Sequence, residues 1–91
     1  MNSQFTTRRI TINKEVNVPE LYFARAERQL KSYPRRMEFD GHEYTFMDGL
    51  RLMVHKGAQL FEIFDMTDGQ RDYRLTFDNG ARSWTLVDMT R

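Results

Sequence analysis

The chain contains no cysteine. That excludes a disulfide framework, a thiolate zinc site, an iron–sulfur cluster and a thiol nucleophile, and it fits a reducing compartment. Histidine is scarce, with only His42 and His55, and proline occurs only at positions 19 and 34. No apolar run approaches the roughly 18 residues of a membrane-spanning helix. The opening MNSQFTTRR lacks the basic-then-apolar pattern of a secretory signal. The expectation is a cytoplasmic chain with no membrane partner.

What is present is enough for one hydrophobic core. Of the 91 residues, 40% are hydrophobic and 13% aromatic, with seven Phe, four Tyr and Trp84. Aromatic side chains bury much area per residue, and this content argues against a disordered chain. The length fits a single domain over 1–91, with the polar residues 1–7 expected to be disordered. The formal net charge of +1 hides an asymmetry. Residues 1–36 carry eight Lys/Arg against three acids, and residues 37–91 carry six against ten.

From Arg8 to Val18 apolar and polar residues alternate, with Ile10 and Ile12 on one face and Thr11 and Asn13 on the other. This reads as a strand with a bend near Asn13. Pro19 then suits a first helical position, where its missing N–H costs nothing, and Glu20 suits the first turn. Phe23, Ala26, Leu30 and Tyr33 recur at helical spacing, with Glu27 and Lys31 as an i,i+4 pair. Pro34 would end that helix. The spacing therefore predicts an amphipathic helix over 19–33.

After Pro34 the pattern becomes strands and turns. All five glycines lie there, in Asp40-Gly41, Asp48-Gly49, Lys56-Gly57, Asp68-Gly69 and Asn79-Gly80. Such pairs mark tight hairpins. Short alternating runs lie between them, most cleanly Tyr73, Leu75 and Phe77. No gap is long enough for a parallel crossover, so an antiparallel meander of about five strands is expected.

The predicted fold is α+β: one N-terminal strand, one amphipathic helix, then a meander wrapping or packing on it. That order is similar to the layout of cystatin-like folds, a likeness of topology that no family motif carries. A small β-barrel capped by the helix is the alternative.

Candidate chemistry is sparse. His42 and His55 both adjoin expected turns, and His42 beside Glu43 makes a poor metal pair because neighbours on a strand face opposite ways. The stretch Asp65 to Asp72 has a calcium-loop flavour. Counting back from Gly69, however, puts Phe64 where the first ligand would stand, so a polar turn is expected. Ser3, Ser32 and Ser83 lack the context of a nucleophile. Each glycine stands alone in its turn, unlike a phosphate loop. The reading is a non-enzyme with no metal, no catalytic residue and no cofactor.

Two surfaces are left as partner sites. Arg25, Arg28, Lys31, Arg35 and Arg36 would cluster on and just after the outward helix face, suited to phosphates or to an acidic protein patch. Met53, Leu60, Phe64 and Met66 would lie on an uncovered sheet face, suited to self-association. The expected function is a small protein-interaction or regulatory module that binds itself or another protein. A nucleic-acid-binding regulator using the basic face is the alternative, and a phage- or toxin-system inhibitor the weaker one.

Overall fold

The structure is a computed structural model that describes residues 8–26 and 29–90. Those residues form seven strands and no helix: β1 (Arg9–Ala26), β2 (Gln29–Phe39), β3 (His42–Thr45), β4 (Asp48–Lys56), β5 (Gln59–Thr67), β6 (Asp72–Asp78) and β7 (Ser83–Thr90). All neighbours are antiparallel, in the order β3-β2-β1-β7-β6-β5-β4. Two meanders, β1–β3 and β4–β7, are therefore joined by the β1–β7 ladder.

This order forces the sheet to curl. β3 and β4 end opposite edges, about 29 Å apart if seven strands lay flat. Yet only Phe46 and Met47 connect them, and from Thr45 to Asp48 the chain reaches about 10 Å at most. The result is an open half-barrel. Phe46 N–H donates to the Arg35 carbonyl of β2 at 2.8 Å, and Met47 N–H to the Thr67 carbonyl of β5 at 2.9 Å. This short strap holds the two sheet ends together at one end of the barrel.

The expected helix over 19–33 is corrected to a β-hairpin, and the fold class from α+β to all-β. Tyr22 pairs with Tyr33, Phe23 with Ser32, Ala24 with Lys31 and Arg25 with Leu30. The anticipated Glu27–Lys31 pair involves Glu27, which lies outside the described residues, as do the tail 1–7 and Arg28. β1 is already held as a strand by β7 through Val16, and it continues past Pro19 through a register shift between Asn17 and Glu20. A bulge is where a strand tolerates a residue without an N–H. Pro34 likewise lies where β2 has β1 alone beside it, since β3 pairs only with Arg36–Phe39. The bend expected near Asn13 is present. Asn13 takes φ +52° and the β1–β7 register shifts between Thr11 and Lys14.

The turns follow their glycines with one correction. Asp40 and Gly41, at φ +54° and +76°, form the two-residue loop between β2 and β3. Asp48-Gly49 is no turn but the start of β4. A Cβ on Gly49 would strike the Met66 thioether and stand 2.8 Å from the Asp65 carbonyl oxygen. Glycine there lets β4 approach β5 closely.

The core lies inside the curl. Phe64 and Met66 of β5, Tyr73 and Leu75 of β6, Leu86 of β7 and Val16 of β1 meet Met37 and Phe46 from the opposite end of the sheet. Aromatic contacts cross the gap: Phe46 to Tyr73 at 5.2 Å, Tyr44 to Tyr73 at 5.6 Å and Tyr33 to Phe64 at 6.1 Å. Such pairs add about 0.5–1.5 kcal/mol each beyond burial.

Candidate functional site

The predicted basic cluster is dispersed by the hairpin. Arg25 and Lys31 occupy adjacent rungs, opposite Leu30 and Ala24, so they point to opposite faces. The register jump from Glu20↔Arg36 to Leu21↔Pro34 leaves Arg35 as an extra residue on β2. Arg35 and Arg36 both lie 3.7 Å from the Glu20 carboxylate. The helical face that would have gathered these cations does not exist.

The four residues proposed as an apolar interface also separate. Phe64 and Met66 are each 1% exposed and belong to the core, because the curl turns their face of β5 inward. Leu60 is half-buried, and only Met53 is openly exposed.

The polar groups largely satisfy one another. On the outer face Arg9 pairs with Asp88, and Arg74 pairs with Asp65 through Nε–Oδ1 at 2.7 Å and Nη2–Oδ2 at 2.9 Å. The Arg74 hydrogen bonds hold the Asp65 carboxyl below its ordinary range against the opposing effect of burial. A depression of about 400 Å³ beside this row is lined by both signs of charge, including Arg9, Asp48, Asp65, Asp72 and Arg74. In the 67–72 turn, Asp68 accepts from the Gln70 and Arg71 N–H groups at 2.9 and 2.8 Å and from the Tyr73 hydroxyl at 2.7 Å. Burial raises the Asp68 pKa, but these donors outweigh it and the net shift is downward. Burial and that carboxylate together push the Tyr73 hydroxyl well up. The calcium-loop lookalike is thus a self-satisfied turn. His42 Nδ1 sits 2.9 Å from the Asp40 carbonyl. Among the described residues no three His, Asp or Glu side chains gather as a metal site.

What remains is β4. It ends the sheet, with β5 as its one neighbour. Its nine rungs to β5 run from Asp48↔Thr67 to Lys56↔Gln59 without a register shift. Leu50, Leu52, Met53 and Val54 are 71%, 55%, 48% and 39% exposed. Leu50, Leu52 and Val54 lie on the outer face beside Ile63 and Phe61 of β5, since paired residues share a face. On the inner face the Arg51 guanidinium meets the Glu62 carboxylate at 2.6 Å, both mostly buried. Asp48 and Lys56 sit at the two ends of the strand.

From sequence, Leu50, Leu52 and Val54 are one more short alternating run between two glycines. The signal that sets them apart is Met53, which adds an apolar residue on the second face of the strand beside the Leu50, Leu52 and Val54 row. A second apolar spot lies on the β1–β2 hairpin, where Phe23 and Leu30 are each 62% exposed. No helix of the described residues is long and apolar enough to cross a membrane. No family model, curated protein or solved structure matches the chain.

Proposed function

We propose that this chain is a small non-enzymatic protein-interaction module that binds by accepting an extended protein segment along β4. The observation that carries the reading is the long, regular edge from Asp48 to Lys56, with Leu50, Leu52, Met53 and Val54 exposed at its centre. Edge strands present unpaired N–H and C=O groups, and proteins ordinarily blunt them with prolines, bulges, shortness or charge. β4 has no proline and no bulge, its charges are Asp48 and Lys56 at the ends and Arg51 tied to Glu62, and four of the five residues 50–54 are exposed and apolar. The opposite edge, β3, has only four residues, among them His42 and Glu43. Strand addition takes affinity from main-chain hydrogen bonds and specificity from alternate side chains. The scattering of Arg25, Lys31, Arg35 and Arg36, and the Glu20 contacts of the last two, favour a protein over a nucleic acid as partner.

The test compares tagged wild-type chain with Leu52→Lys as bait in native lysate, with and without nuclease. Protein retained through nuclease treatment and lost with Leu52→Lys is the expected result. Retention that collapses with nuclease, or that Leu52→Lys leaves unchanged, overturns the reading.

A further inference from the structure

Resting on β4 as the binding edge, we infer that the segment it accepts is β4 of a second copy, paired antiparallel about a two-fold axis through Leu52. An isologous contact requires a surface that complements itself when reversed. The β4 sequence Asp48-Gly49-Leu50-Arg51-Leu52-Met53-Val54-His55-Lys56 does so about its central residue. Reversed on Leu52, it sets Asp48 opposite the partner's Lys56, an acid against a base at each end. Leu50 meets the partner's Val54, and Leu52 meets the partner's Leu52. Gly49 leaves room for the partner's His55. Arg51, already tied to Glu62 in its own sheet, lies beside the partner's Met53.

No neighbouring register does as well. Centring on Arg51 sets two guanidinium groups face to face and leaves Asp48 against Val54. Centring on Met53 places Arg51 against His55 and Leu50 against Lys56. A slip of a single residue puts the outer apolar row of one copy on the face carrying Arg51, Met53 and His55 of the other. In the Leu52-centred register the exposed residues Leu50, Leu52 and Val54 of both copies merge into one outer row, flanked by Phe61 and Ile63. The two half-barrels then share one continuous sheet.

The absence of cysteine makes this register directly readable. In the purified full-length chain, Leu52→Cys places two thiols on the axis at the Cα separation of directly paired strands, about 5 Å, within disulfide range. Leu50→Cys places them four residues apart along the strand, about 13 Å, which a disulfide cannot span. Mild oxidation at micromolar concentration links L52C into dimers and leaves L50C unlinked. Light scattering after size exclusion gives a dimer for the wild type and a monomer for Leu52→Lys. Asp48→Lys weakens the dimer roughly tenfold, because both symmetry-related end pairs become repulsive. Adding Lys56→Asp restores it to within about twofold of wild type.

A wild-type monomer with no L52C cross-link overturns self-pairing. Equal linking of L50C and L52C, or no rescue by the charge swap, overturns the register. These outcomes are separable from failure of the β4 reading itself. A monomer whose lysate partner is still lost with Leu52→Lys keeps β4 as the edge but gives it another occupant.

Discussion

Tyr22 and Tyr33 stack across the β1–β2 hairpin, ring centroids 5.4 Å apart and planes 14° from parallel. They are partners in the ladder, and Tyr33 continues the contact edge-on to Phe64 in the core. The hairpin is thus fastened to the barrel by rings as well as by backbone. Replacing Tyr22 and Tyr33 by Leu, singly and together, should show a coupling of about 0.5–1.5 kcal/mol in a double-mutant cycle by urea unfolding. Zero coupling would mean the two rings do not meet.

The same segment shows where sequence pattern and structure part. Phe23, Ala26, Leu30 and Tyr33 recur at steps of three and four, and the prolines that bracket them suit a helix start and stop. Leu, Ala, Arg and Gln between them are good helix formers. The sequence between Ala26 and Gln29 has no glycine or asparagine, so it carries no hairpin signal. Propensity was overridden by a strand already paired to β7 and continued past Pro19. The later strands were legible because their cues are local: Tyr73, Leu75 and Phe77 alternate, and Asp40-Gly41 turns with two positive φ angles. The candidate site was legible only at Met53. Which strands lie at an edge depends on the β1–β7 ladder, a pairing between distant segments that no local window contains.

Gly41 gives a clean measure of backbone strain. A Cβ there would meet nothing within 4 Å, so the cost of Gly41→Ala is the φ of +76° alone. The expected loss is about 1–2 kcal/mol, read from the thermal midpoint, with the sheet intact by circular dichroism.

Gly49→Ala has a different cause and a larger consequence. The new methyl must displace the Met66 side chain and press on the Asp65 carbonyl oxygen. Overpacking of this kind costs about 1–3 kcal/mol. Shortening Met66 to Ala in the same chain should recover only part of it, because the backbone contact remains. Full recovery would place the whole clash on the side chain.

Acid should weaken the fold partly through Asp65. Its folded carboxyl sits below the ordinary range because Arg74 hydrogen-bonds the ionised form. The stabilisation is therefore complete above the unfolded value near pH 4 and is lost as pH falls through the lower folded value. Both partners are over a third exposed, so the pair contributes no more than about 1 kcal/mol. Asp65→Asn should lower the urea midpoint slightly at pH 7 and flatten its decline below about pH 4. An unchanged acid limb would contradict this.

Removing Leu75, which is fully buried between β5 and β7, should be the severest of these changes. Leu75→Ala should cost about 2–5 kcal/mol, a large share of the roughly 5–15 kcal/mol that holds a domain together. Loss of a cooperative urea transition, or a midpoint shifted by that amount, is the expected reading.

The ladder between β1 and β7 also governs when the protein can fold. Arg9 pairs with Thr90 and Val16 with Trp84, so the first half of the first strand finds its partner only when the last strand has been made. Contacts closed over so many intervening residues form slowly. During synthesis residues 9–16 wait unpaired, since β2 pairs with β1 only from Asn17 onward, while β4, with its own bare side, has already emerged. A ribosome-bound chain halted before residue 83 should therefore leave residues 9–16 open to protease, and emergence of β7 should close that ladder late.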